Sequence, residues 1–173
     1  VSSTNFLPSY AYLCQHGGYA ILLVNYRGST GFGQASVQSL PTNIGKLDVQ
    51  DVMHATQKVC ASRLVDKDRV GICGGSHGGF LTGHCTSQYP DFFRAAAMRN
   101  PVVNLPSMTT ATDIPDWCFV EACGRYDWLT YRPPTSDELQ QMRDVSPIAR
   151  VANVQTPTLV ALGLSDLRVP PSQ

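Results

Sequence analysis

One short run holds the residues best suited to covalent chemistry. Gly74-Gly75-Ser76-His77-Gly78 matches the pattern Gly-x-Ser-x-Gly. A serine hydroxyl is a weak nucleophile until a base can take its proton, so it must project from a sharp turn into the open. A strand entering that turn and a helix leaving it approach closely. The approach is expected to leave no room for a Cβ two residues either side of the serine, at Gly74 and Gly78. The residue after the nucleophile offers its backbone N–H to a developing oxyanion, which assigns that role to His77. The other glycines do not fit rival chemistries. Gly31-Phe32-Gly33-Gln34-Ala35-Ser36 lacks the third glycine of a dinucleotide loop, and Gly33 is followed by Gln34-Ala35 instead of the Lys-Ser/Thr of a phosphate loop.

For this run to act, a strand must lead into it and a helix must follow it. Residues 69–73 form a short apolar segment with strand character, and residues 80–89 read as a helix stopped by Pro90. Residues 20–25 are continuously apolar, as in a strand buried on both faces, and end in the Gly-rich loop 26–33. Over residues 47–60, Val49, Val52, Met53, Thr56, Val59 and Cys60 recur at helical steps, with Asp48 and Asp51 early, where they complement the helix dipole. Residues 93–98 are a weaker strand candidate, 104–150 short helical pieces, and 158–163 a clear last strand. Alternating strands and helices imply an α/β fold with a parallel sheet and right-handed crossovers. With the serine turn after a core strand, this is a partial α/β-hydrolase fold. Chemistry then belongs at the carboxyl ends of the strands.

In such folds the order along the chain is nucleophile, acid, histidine. Asp166 lies just past the last strand, in Gly163-Leu164-Ser165-Asp166, and two readings stand open: triad acid, or the aspartate of an Asx-turn. No histidine follows it. His77 adjoins the serine, and its side chain should diverge from the hydroxyl. His84 recedes along the helix, His54 precedes the elbow strand, and His16-Gly17-Gly18 reads as a helix-ending turn before residues 20–25. The base is therefore expected outside this chain.

Composition narrows the partners. The 173 residues carry 13 basic and 13 acidic side chains, a balance that argues against a nucleic-acid or anionic-membrane partner. No apolar run reaches the ~18–20 residues of a membrane span. The six cysteines form no Cys-x-x-Cys pair and no zinc spacing, so a reducing compartment, the cytosol, is expected, with neither metal nor organic cofactor. The chain opens on Val1 with no signal-peptide core, which reads as the interior of something larger.

With those residues in hand, the chain resembles the acylaminoacyl branch of the prolyl oligopeptidase family of serine peptidases. Residues 22–33 (Leu-Leu-Val-Asn-Tyr-Arg-Gly-Ser-Thr-Gly-Phe-Gly) and the Asp48/Asp51 helix carry the family resemblance. Histidine after Ser76, Arg99-Asn100-Pro101-Val102 and Thr112-Asp113-Ile114-Pro115-Asp116-Trp117 point to the branch. The resemblance implies Ser76 as nucleophile, Asp166 as acid, the His77 N–H as an oxyanion donor, and Arg168 as a residue that binds a substrate carbonyl; a solvated surface arginine is the other reading of Arg168. It also implies hydrolysis of short N-acylated peptides, a homo-oligomeric parent, and a triad histidine past Gln173. Residues 1–173 would then be the middle of a catalytic domain with about four of eight core strands, lacking an N-terminal β-propeller and the domain's C-terminal end. Another peptidase or esterase of the family, or a non-catalytic fragment, is the alternative.

Overall fold

The computed structural model describes residues 6–127 and 132–173. Three parallel strands form its sheet in the order β1-β2-β3: β1 Gly71–Ser76, β2 Ala95–Pro101 and β3 Thr158–Ala161. Before β1 come α1 (Pro8–Gly17), α2 (Gln34–Gln38) and α3 (Leu47–Ala61). Helix α4 (His77–Gln88) links β1 to β2; α5 (Leu105–Met108), α6 (Pro115–Cys123), α7 (Ser136–Asp144) and a 3-10 turn (Pro147–Asn153) link β2 to β3. No helix among the described residues is long and apolar enough to cross a membrane.

The expected elements form, with shifted edges. β1 runs on to Ser76, and α4 begins at His77, three residues before the expected start at Phe80, because the turn between them has no length of its own. Residues 17 and 18 do end a helix, with Gly18 in the left-handed conformation at the cap of α1. Residues 20–25 differ. They join none of the three strands, and Leu22 and Leu23 stay about 40% exposed. An apolar run becomes a strand only where a neighbour supplies the ladder, and among the described residues no strand lies alongside it.

α4 is the centre of the core. Its residues from Gly79 to Ser87 are all buried, packed against the sheet, α3 and the 3-10 turn. Phe80, Leu81 and Cys85 meet Val49 and Met53 of α3 in one apolar cluster. Its polar side chains tolerate burial because they bond back to their own helix: Thr82 Oγ1 donates to Gly78 O at 2.8 Å, Thr86 Oγ1 to Thr82 O at 3.0 Å and Ser87 Oγ to His84 O at 3.2 Å.

His84, the remaining polar residue of that buried face, is held as a neutral ring. Its Nε2–H donates to Val145 O at 2.9 Å, while Nδ1 accepts from Gln88 Nε2 at 3.0 Å, and Gln88 Nε2 also donates to Gly45 O at 2.8 Å. Burial is the main cause that brings its pKa from 6.5 down to about 4, against an upward pull from the Val145 carbonyl. The unfolded chain therefore binds the extra proton first, so this contribution to stability is complete above the unfolded value and is lost as pH falls toward about 4. Its size is about 3 kcal/mol. Urea midpoints at neutral and acid pH check it: His84→Gln is expected to flatten the acid limb, and an unchanged limb would place the titration elsewhere.

Candidate active site

The turn at residues 74–79 is built from backbone crowding. Ser76 has φ 57° and ψ −122°, a strained conformation for a non-glycine residue, at the junction of β1 and α4. The residue is exposed, and His77 opens the helix, so the His77 N–H is among the helix's unpaired amino-terminal donors. A Cβ on Gly74 would lie 2.2 Å from the carbonyl oxygen of Gly78, and one on Gly79 2.6 Å from Pro101. Gly78 itself faces open space. The expected symmetry around the serine is thus only half right. Gly74 is obligatory because it passes over Gly78, whereas Gly78 contributes a bare backbone in a helix where a side chain would fit. Gly74→Ala is accordingly expected to destabilise by about 3 kcal/mol, the upper range for overpacking. Gly78→Ala should leave stability unchanged or raised, and comparable losses for both in urea unfolding would contradict this packing.

The side chain of His77 is engaged by an aromatic cluster and a buried carboxylate. Its ring stacks between Tyr26 (centroids 5.5 Å) and Phe80 (5.0 Å), with Trp117 edge-on at 5.9 Å. Nε2 lies 3.2 Å from Oδ2 of Asp48, a fully buried carboxylate whose Oδ1 accepts the Val49 N–H. Asp48 thus anchors the elbow from α3, a role beyond the dipole. The signal was present: Asp48 shares a helix face with Val52, an acidic residue on an apolar stripe. Asp51 likewise grips Arg27, whose Nε and Nη2 reach its two oxygens at 2.8 and 2.6 Å, fixing the start of the Gly-rich loop. Nearby, Tyr26 is pushed up to about 12 and Glu121 is raised, both chiefly by burial. Of the other histidines, His16 and His54 are exposed and His84 is locked in the core.

A cleft of about 260 Å³ opens beside the serine, lined by Ser76, His77, Val102, Trp117, Arg168 and Val169, with Met108 and Ile114 completing its wall. Ser76 closes β1, and the others follow the carboxyl end of a strand. The loop after β3 also holds Asp166, where both Asx-turn bonds form: Oδ1 accepts from Arg168 N at 2.9 Å and Val169 N at 3.0 Å. Arg168 points its guanidinium at Asp113, with Nε and Nη2 at 2.6 and 3.2 Å from the two carboxylate oxygens. That bidentate pair is exposed on both sides, which adds to the carbonyl-binding and solvated readings a third, a surface partner on the cleft rim. Asp113 lies in the 112–117 motif, where sequence had singled out the segment but not the pairing.

A strained serine between a parallel strand and a helix, opening on an apolar cleft beside an aspartate loop, is the arrangement of a serine hydrolase of the α/β-hydrolase class. Residues 5–173 match the model of the prolyl oligopeptidase family (Peptidase_S9), and the chain belongs to that family. It is 49% identical to acylamino-acid-releasing enzyme 1 of Oryza sativa subsp. japonica, over 99% of this chain and 22% of that protein. With the acylamino-acid-releasing enzyme of Mus musculus it shares 51% identity, over 92% of this chain and 21% of that protein. Among solved structures, an acylaminoacyl peptidase of Pyrococcus horikoshii superposes with TM-score 0.75 at 27% identity, covering 87% of this chain and 23% of that one. The chain therefore spans about a fifth of the length of the curated relatives it matches.

Proposed function

We propose that residues 1–173 supply the nucleophile and acid of a serine peptidase that removes an N-acylated amino acid from short blocked peptides. The observation that carries the chemistry is the strained Ser76 at the mouth of the cleft. Its Oγ attacks the scissile carbonyl, and the His77 N–H meets the developing oxyanion. The proton passes to a histidine outside residues 1–173 and then to the leaving amine; water hydrolyses the acyl-enzyme. Asp166 orients that histidine. Both hydrogen bonds it accepts among the described residues fall on Oδ1, so Oδ2 is the oxygen an imidazole N–H would use. The Asx-turn is then the device that presents the acid.

The substrate class is supported by the relatives, which are acylamino-acid-releasing enzymes, and by the apolar cleft wall, which suits an uncharged acyl-aminoacyl group. Acetyl-alanyl, prolyl and free-amino dipeptidyl substrates, assayed on the full-length polypeptide, separate this from its family alternatives. Preference for the acetylated substrate is expected; indifference to it would defeat the assignment. A second reading, that the isolated 173 residues are catalytically silent, is supported by the engagement of His77 with Asp48 and of His84 with Val145, and by the order nucleophile, acid, histidine, since no histidine follows Asp166 within residues 1–173. A fluorophosphonate probe that labels the longer polypeptide but not residues 1–173 is the expected result. The composition of cysteines favours a reducing compartment, the cytosol, for this activity.

A further inference from the structure

The ladder between β1 and β2 skips one residue. Gly75 pairs with Arg99, yet Ser76 pairs with Pro101, so Asn100 bulges out beside the candidate nucleophile. Its φ is +40°, a conformation glycine would adopt without strain. What asparagine adds is an amide; the residue is 8% exposed, and both the nitrogen and the oxygen of that amide are hydrogen-bonded.

β2 and β3 remain paired as far as Arg99 and Ala161. Beyond that point the Asn100 side chain takes over from the ladder. Its Oδ1 accepts the Gly163 N–H at 3.0 Å, and its Nδ2 donates to Gly163 O at 3.2 Å and to Val169 O at 3.3 Å. Gly163 and Val169 bracket the loop that carries Asp166. Within the loop, Asp166 N donates to Gly163 O at 3.2 Å and Asp166 Oδ1 accepts from Arg168 N and Val169 N. The loop is closed on itself and attached at both ends to one side chain.

We infer that Asn100 is a positioning residue for the acid: its amide, turned out of the β1–β2 ladder by the bulge, fixes the Asp166 loop relative to Ser76. This rests on the proposed role of Asp166 as triad acid. Because Asn100 acts through Asp166, its removal costs catalysis only while the acid is present.

The test compares Asn100→Ala, Asp166→Asn and the double variant in the full-length polypeptide. The readouts are steady-state hydrolysis of acetyl-alanyl p-nitroanilide and the rate of fluorophosphonate labelling, with folded fraction followed by thermal unfolding. Asn100→Ala is expected to lower kcat by about 10²-fold, the effect of a small misplacement, with KM nearly unchanged. In the Asp166→Asn background it should lower the labelling rate no further. A purely structural asparagine would reduce activity by the same factor in both backgrounds, and that result, or an unchanged kcat in the single variant, overturns the inference. Full activity of Asp166→Asn alone would remove the triad-acid reading, and the inference with it. Should Asn100→Ala not fold, Asn100→Asp keeps an acceptor for Gly163 N–H, loses both donor bonds, and is expected to show the same non-additivity.

Discussion

Replacing Ser76 by alanine in the full-length polypeptide is expected to slow peptide hydrolysis by about 10⁶-fold, the loss typical of a missing triad nucleophile. The substitution removes only Oγ from an exposed side chain, so unfolding should be little changed. Alanine keeps the Cβ, so the strain at φ 57° stays and no gain in stability is expected from the backbone. The residual rate would come from the oxyanion donor and substrate binding alone. Fluorophosphonate labelling should vanish together with turnover. If the alanine variant still hydrolysed acetyl-alanyl substrates at more than a trace, another nucleophile would be at work and the elbow would be only a packing motif.

The second large effect concerns Asp166. Asparagine there keeps the size and one acceptor oxygen, so Arg168 N and Val169 N can still be satisfied and the loop can keep its shape. The carboxylate charge is lost, and with it the acceptor that, on the proposed triad role, selects the imidazole tautomer and stabilises the imidazolium. A fall in kcat of about 10⁴-fold is expected, equivalent to about 5.5 kcal/mol of transition-state stabilisation. KM should change far less, because a triad acid acts through the histidine and not on the substrate. Equal losses in stability and activity would show instead that the Asx-turn is its whole role.

Much of the fold was legible because its signals are local. The apolar run at 69–73 followed directly by a glycine-rich serine turn can be satisfied only by a strand entering a helix, and β1 and α4 form there. The three- and four-residue spacing over 47–60 yields α3 to within one residue. Residues 20–25 show the limit of such reasoning. Periodicity says that a segment could line a sheet, but a ladder depends on a neighbour that local sequence does not describe. Gly78 shows another: equal glycines on either side of a serine are sterically unequal once the chain crosses itself.

The chemistry offered by the chain can be read from residue order alone: a serine on an elbow, a helix-start N–H beside it, and an aspartate after a late strand. Those properties depend on residues adjacent along the chain. How the pieces are held in register emerges from long-range packing. Asp48 reaches His77 across 29 positions, Arg168 reaches Asp113 across 55, and Asn100 reaches Gly163 and Val169 across 63 and 69. Each contact joins residues that become neighbours only after helices and strands have packed, and a bulge of one residue suffices to turn the Asn100 amide from the ladder to the acid loop. Such geometry depends on where the backbone goes, which residue types alone do not encode.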